Sequence, residues 1–395
     1  MARAVLWCAA LVQSFVPPFD VVSYRRMTAP SNAAPDASGA AGAEAPGDAA
    51  APRTRRKRYA GRYPRHFSER HKEHSGDAAT MARVLEKGGT PAGTHVPIMV
   101  AECLEHLGLN ATTDVVVVDC TLGYGGHSSA LIAALPPKSR LLCFDRDGDE
   151  LAKTSARLAP LADDGNVELD AVHANYARVG DELAQRNLKA SSLLADLGCS
   201  SMQIDDPERG FTFKRDGPLD MRMDASPSAA TAADWLRRAS VKEVAAALRA
   251  GADFARRDAR ELAVEILREP VPATTTSLAD RVRSVRLEEE DCSEDTAVKR
   301  AMQALRIVVN AEFDALDELL ARLPDILAPG GRAVFLTFHS GEDRRVKKAF
   351  KAGIAAGVYL DATRRPVRPS SEERRANSRS GCCKLRWCVR ADVDE

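Results

Sequence analysis

The run Asp114-Val-Val-Val-Val-Asp119 limits the folds open to this chain more than any other segment. Four consecutive β-branched residues bounded by acids make a short strand buried on both faces, and such strands belong to parallel sheets covered by helices on each side. The pattern repeats in Arg140-Leu-Leu-Cys-Phe-Asp145, Val167–Val172 and Ser192–Asp196. Helical spacing fills the gaps, over Ala130–Leu135, Asp147–Leu158 and Tyr176–Arg186, and Pro97–Leu107 supplies a helix ahead of the first strand. Strands alternating with helices predict an α/β fold, a doubly wound and mostly parallel sheet with right-handed crossovers.

After Asp224 the pattern changes. Ala229–Arg237, Val241–Arg249, Asp253–Arg268 and Ser277–Val285 read as helices with no buried strand between them, which makes an inserted helical domain over 225–295. Glu294 to Leu323 reads as one long helix with an apolar stripe. Pro329-Gly-Gly331 then turns the chain and Arg332–Phe338 restores the sheet. The sheet domain is thus expected in two parts, 93–224 and 296–395.

Residues 1–92 are expected to stand outside the fold. Residues 1–19 contain no acid, and Ala29–Pro52 is dominated by Ala, Gly, Pro, Ser and Asp, too few large apolar groups to offset the entropy of ordering. This composition suits a removable targeting sequence for an organelle, mitochondrion or plastid; without that role the chain is expected in the cytoplasm. The apolar stretch Val5–Val16 is too short to span a membrane, and no later one is long enough. Formal net charge is zero, yet nine Lys/Arg face two Glu between Ala51 and His74, and nine face two Glu between Arg364 and Arg390. Segregated positive charge points to a polyanionic partner or to solvated basic tails. The nine cysteines include no C-x-x-C pair, and the Cys382-Cys383…Cys388 group lacks a paired knuckle, so reduced thiols are expected and no metal site.

Two loops leave strand ends rich in chemistry. Gly123-x-Gly125-Gly126 lies between a strand and a helix, where the backbone can approach a ligand and free N–H groups can hold an anion. Asp145 ends the next strand and can accept ribose hydroxyls, or cap the helix that follows. NAD and S-adenosylmethionine both suit this pair, although the glycine spacing is not the full dinucleotide pattern. The second loop, Asp196–Asp224, mixes Asp196, Ser200, Ser201, Gln203, Arg209 and Arg215 with Phe211, Phe213, Leu219, Met221 and Met223, as a loop folded over a ligand would.

From His95 to about Arg390 the chain resembles the small-subunit rRNA cytosine-N4 methyltransferases, the RsmH/MraW family. The resemblance rests on HVPIMVAECLEHL at His95–Leu107, DCTLGYGGHSSALI at Asp119–Ile132, FDRD at Phe144–Asp147, the Asp196–Asp224 run with its GPLDMRMD end, QALRIVVNAEF at Gln303–Phe313 and LAPGGRAVFLTFHSGEDRRVKKAF at Leu327–Phe350. It implies a class I methyltransferase fold, S-adenosylmethionine as cofactor, and small-subunit rRNA or the assembling subunit as partner, with a homodimer as one arrangement open to it. Family cofactor contacts fall on Gly125, Gly126, His127, Asp145, Tyr176 (commonly Phe in the family), Asp196 and Gln203. Departures lie at Cys199, Gly341, Gly251–Phe254 and Asn377–Cys382, where the insertion and tail would meet substrate.

Cytosine N4 is a weak nucleophile, because its lone pair is delocalised into the ring. Transfer to it needs in-line placement and an acceptor drawing density towards N4. Asp196 is the leading candidate for that task and Ser200 the second. His339 and Ser340, at the end of the last strand, are read as base or phosphate contacts or as helix caps. Arg306 and Asn310, one turn apart, either point inward to substrate or lie on the surface. Lys347 and Lys348 fall on one basic helix face with Arg344 and Lys351, suited to phosphates. The competing function is a non-catalytic rRNA-binding assembly factor on the same fold, which would not need the glycines and Asp145.

Overall fold

The computed structural model describes residues 97–109, 114–224, 226, 229–288 and 292–392. The expected targeting segment 1–92, with its basic Arg53–Arg70 block, lies outside the described residues.

The elements follow one another as α1 (Val100–Leu107), β1 (Val116–Asp119), α2 (Gly126–Ala134), β2 (Arg140–Asp145), α3 (Gly148–Gly165), β3 (Glu168–His173), α4 (Val179–Gln185), β4 (Ala190–Asp196) and α5 (Ser201–Asp205). Five helices come next: α6 (Ala232–Arg238), α7 (Val241–Ala252), α8 (Arg256–Ile266), α9 (Thr275–Arg283) and α10 (Glu294–Val309). The chain then returns through α11 (Glu312–Ile326), β5 (Leu327–Thr337), α12 (Ser340–Ala355), β6 (Tyr359–Ala362), α13 (Ser371–Ala376) and β7 (Lys384–Arg390). The strands form one sheet in the order β3-β2-β1-β4-β5-β7-β6. The first five are parallel, and β7 runs antiparallel to both β5 and β6.

Alternate residues of each strand go to opposite faces, so a strand covered on both sides must be apolar at every position. Val117, Leu141 and Leu194 pack under α1, α2 and α3 with Leu107, Leu131 and Leu158. Their neighbours Val118, Leu142 and Leu193 pack on the other face with Leu183, Leu316 and Val346 from α4, α11 and α12. Each such side chain contributes about 1.5–3 kcal/mol when removed from water. This is why the four-valine run and its relatives announce the sheet.

Helices α6–α10 gather round a separate core that includes Leu236, Leu248, Leu262, Val282, Val298 and Leu305. Their starts are set locally: Thr231 with Asp234 and Ser240 with Glu243 form reciprocal capping boxes. Leu219 and Met221, at the end of the long polar loop, are buried in this same core. So is the apolar stripe of α10, which carries the helical unit past residue 295 as far as Val309.

Two expectations are corrected. The helix over Glu294–Leu323 is broken: α10 ends at Val309, Ala311 takes a left-handed φ of 48°, and α11 starts at Glu312. The apolar spacing continues across the break, so the sequence period does not reveal it. The basic C-terminal segment is also not a free tail. It is α13 and β7, and Arg386, 3 % exposed, pairs with Asp343 at 2.6 Å while Lys384 pairs with the same carboxylate at 2.8 Å. Arg379 pairs with Asp205 at 2.9 Å. These three cations are paired with carboxylates within the fold.

The exposed Ala311 offers a clean test, because its substitution changes backbone strain with little change in packing. Ala311→Val should lower the unfolding free energy by about 1–2 kcal/mol, since β-branched residues tolerate positive φ least. Ala311→Gly should not lower it. Urea unfolding of the two variants beside the parent checks both signs.

Candidate active site at the carboxyl ends of the strands

Because β1, β2, β4 and β5 are parallel, the loops that follow them open on one edge of the sheet. The β1 loop turns tightly, with Leu122 donating to the Phe144 carbonyl at 2.8 Å and Gly125 to the Leu122 carbonyl at 2.7 Å. Gly123 and Gly125 have φ of 46° and 69°. A Cβ at Gly125 would lie 2.8 Å from Thr154 Cγ2, whereas at Gly123 nothing stands within 4 Å. Gly123 thus borders open space beside Asp145, and α2 begins three residues later with its unpaired N–H groups at this edge.

Three adjacent strands end in aspartates. Asp119 is buried, accepts from Ser128 Oγ at 2.5 Å and from Thr121 N–H at 3.0 Å, and its carboxyl is raised above the usual range by burial. Asp145 accepts from Gly123 N–H at 2.7 Å and Asp147 N–H at 2.9 Å; burial pushes it up to about 6 against those two donors. Asp196 is also pushed up to about 6 by burial, with His127 opposing the shift. Its Oδ2 lies 3.5 Å from His127 Nδ1, while its Oδ1 is buried with no hydrogen-bond partner among the described residues. The other ring nitrogen of His127 donates to the Ile98 carbonyl at 3.0 Å. An acceptor left unsatisfied in a low-dielectric edge is costly and calls for an N–H or O–H donor from a ligand.

The long loop closes one side of this edge. Ser200 and Gln203 form a capping box at the start of α5: Ser200 Oγ accepts from Gln203 N–H at 3.3 Å, and Gln203 Oε1 accepts from Ser200 N–H at 3.0 Å. Both candidates therefore have a local task here, and the hydroxyl proton of Ser200 and the amide N–H groups of Gln203 are what remain for a ligand. Tyr176 follows β3 and donates to the Glu312 carbonyl at 3.3 Å, its ring packed beside the core of that face.

The expected substrate contacts divide. Arg306 is not presented to substrate: its guanidinium pairs with Glu312 at 2.7 and 2.9 Å and donates to Cys199 Sγ at 3.1 Å, bracing the loop just after β4. Asn310 is 2 % exposed and bonded to Met221 and Met223, so neither an inward substrate role nor a surface position describes it. His339 is the cap of α12, its Nδ1 accepting from Glu342 N–H at 3.4 Å and its Nε2 lying 3.1 Å from Glu342 Oε1. Glu342 itself stays below the usual carboxylate range; burial opposes this, and His339, the Phe338 N–H and Arg306 outweigh it. Ser340 donates to Asp253 Oδ2, and Arg344 pairs with the same carboxylate at 2.7 Å, so these two tie α12 to the end of α7. Lys347, Lys348 and Lys351 are exposed on α12, as their spacing predicts.

Sequence reasoning missed Asp119, Thr121, Glu312 and Glu342. Asp119 was visible as a third strand-ending acid. Thr121 Oγ1 accepts from Asp196 N–H at 2.8 Å across 75 residues, and no local pattern marks such a pair.

A profile of the MraW methylase family matches residues 92–391. The ribosomal RNA small subunit methyltransferase H 1 of Agathobacter rectalis is 41 % identical over 86 % of this chain and 98 % of its own length. Methyltransferase H 2 of Alkaliphilus metalliredigens is 41 % identical over the same shares, and methyltransferase H of Streptomyces avermitilis is 36 % identical over 76 % of this chain and 98 % of its own. Among solved structures, an rRNA methylase from Streptococcus thermophilus aligns with a TM-score of 0.33 at 13 % identity, covering 75 % of this chain and 99 % of that one. The strand order, with β7 inserted antiparallel, is the architecture of class I S-adenosylmethionine-dependent methyltransferases. On the extent of the family match and the identity to full-length relatives, this chain belongs to the MraW methylase family.

Proposed function

We propose that this enzyme transfers a methyl group from S-adenosylmethionine to the exocyclic N4 of a cytidine in small-subunit ribosomal RNA. The observation that carries the reading is the edge itself: Asp145 beside the open space at Gly123, and Asp196 with one buried oxygen lacking a donor. When bound there, the cofactor supplies an electrophilic methyl group. Asp145 accepts from the ribose hydroxyls, and the first turn of α2 at Gly126 and His127 offers N–H groups to the amino-acid carboxylate. Tyr176 offers a ring to adenine and Gln203 an amide to the base or the amino acid.

Asp196 is the acceptor for the N4 amine. Accepting from N4 draws density onto the nucleophile, and the proton that N4 loses on methylation passes to this carboxylate. A carboxyl pushed up to about 6 is suited to that exchange near neutral pH. Ser200, one turn of loop away, is placed to orient the base with its hydroxyl proton. The Lys347–Lys348 face of α12 supplies phosphate contacts that position the RNA without reading sequence.

The test of function is nucleoside mass spectrometry of small-subunit rRNA after incubation with methyl-labelled S-adenosylmethionine. Label in N4-methylated cytidine is expected; rRNA binding with no label would favour the non-catalytic assembly factor.

The pH dependence has a definite sign. A carboxyl raised by burial favours the unliganded fold below its ordinary range, and this contribution is lost as pH rises through about 6. Ribose hydroxyls donate to the ionised form, so cofactor affinity should fall as pH drops through that value. Isothermal calorimetry between about pH 7 and pH 5 should show about a tenfold loss for Asp145 ionisation alone. Asp145→Asn should bind weakly with a flatter profile, and an unflattened profile would take Asp145 out of the ribose site.

Neutralising Lys347 and Lys348 together should flatten the slope of log affinity for RNA against log salt by about two units. S-adenosylmethionine affinity should not change. An unaltered slope would move the RNA path away from α12.

A further inference from the structure

Asn310, expected to meet substrate, is instead held by hydrogen bonds from both ends of its side-chain amide. Its Oδ1 accepts from Met223 N–H at 2.8 Å, and its Nδ2 donates to the carbonyls of Met221 at 2.7 Å and Arg306 at 2.9 Å. One amide N–H donor and two carbonyl acceptors fix which end of the side chain is which. The backbone carbonyl of Asn310 accepts from Arg146 Nη1 at 2.5 Å. A second arm crosses the same place: Arg209 pairs with Asp147 Oδ2 at 2.7 Å and donates to the carbonyls of Arg222 at 3.2 Å and Met223 at 3.1 Å. Arg146 and Asp147 directly follow Asp145, and Asp147 N–H is one of the two donors that hold the Asp145 carboxylate.

Strain gathers at this junction. Met221 and Ala311 both adopt left-handed backbone, with φ of 63° and 48°. Neither is glycine, and such residues persist only where their surroundings over-determine them, a condition that clusters at functional sites. Met221 is buried in the core of α6–α10, while Ala311 is the hinge between that core and α11 on the sheet. Residues 310–311 and 221–223 lie where the chain passes between the helical unit and the sheet.

We propose that Asn310 is a positioning residue for cofactor binding. It holds the 221–223 segment against the Asp145 loop, with Arg146 and Arg209 as its two ties, and so registers the helical insertion on the ribose end of the pocket. The inference rests on Asp145 as the ribose acceptor.

Asn310→Asp keeps the shape and the Oδ1 acceptor and removes both donated bonds. Arg209→Lys keeps the charge opposite Asp147 and removes the reach to the two carbonyls. Leu262→Ala, in the fully buried core of the insertion, is the control for destabilisation that removes none of the hydrogen bonds of this junction. Each is made in the full-length chain, with calorimetry against S-adenosylmethionine, steady-state KM for cofactor and for rRNA, and thermal unfolding. Asn310→Asp and Arg209→Lys should each weaken cofactor binding about tenfold, and raise KM for cofactor more than KM for RNA. Leu262→Ala should lower the melting temperature and leave cofactor binding unchanged. If both variants bind cofactor within about twofold of the parent while melting earlier, as Leu262→Ala does, Asn310 is a structural clamp only and the proposal is overturned. Should Asn310→Asp not fold, Arg209→Lys decides by the same criterion. Asp145→Ala with unaltered affinity would overturn the ribose reading itself, and this proposal with it.

Discussion

Three carboxylates at the ends of three neighbouring strands set the terms for the rest of the molecule. Asp119, Asp145 and Asp196 project from a sheet buried on both faces, so each is partly stripped of water and each is raised above the ordinary carboxylate range. Such groups are tolerated only when donors surround them. The β1 loop and the helix after it provide most of these, through the N–H groups of Thr121 and Gly123 and the Ser128 hydroxyl on α2. Asp196 is left with one buried oxygen that has no hydrogen-bond partner among the described residues. The three carboxylates therefore concentrate an electrostatic cost at one edge of the sheet.

Around this edge, the charged groups that look available for substrate are mostly committed to holding loops. Arg306, Glu312 and Cys199 brace the loop after β4, and His339 with Glu342 forms the cap of α12 close enough for the Arg306 charge to lower the Glu342 carboxyl. The guanidinium of Arg306 is charged, buried and fully paired, so removing either partner would strand the other in low dielectric. Ser340 and Arg344 likewise spend themselves on Asp253 at the end of α7. The consequence is a division of labour. The bonded groups beside the edge hold loops in place, and the lysines further along α12 stay exposed.

The helical unit depends on the same economy. Its core takes in Leu219 and Met221 from the active-site loop, so the loop cannot be ordered without the insertion, nor the insertion without the loop. The break at Ala311 lets α10 stay with the insertion while α11 covers the sheet, and Asn310 satisfies the backbone groups freed at that bend and on the facing segment. Local strain and long-range hydrogen bonding thus meet at one residue.

By itself the sequence determined the parallel sheet and the strand-end acids. Both are local properties: a strand covered on two faces must be apolar at every position, and its end must turn polar where it leaves the core. The glycine turn after β1 and the helical insertion were legible for the same reason, since a turn and an apolar stripe are written in neighbouring residues. Only the tertiary structure decided which polar residues are committed to partners within the fold. Ser200 and Gln203 cap each other, Arg306 reaches Cys199 across 107 residues, and Asn310 reaches Met221 across 89. The antiparallel placing of β7, which turned a basic segment into a sheet strand with Arg386 buried on Asp343, is of the same kind. A donor and an acceptor far apart in the chain leave no periodic trace, and their pairing exists only once the fold has brought them within 3 Å or so of one another.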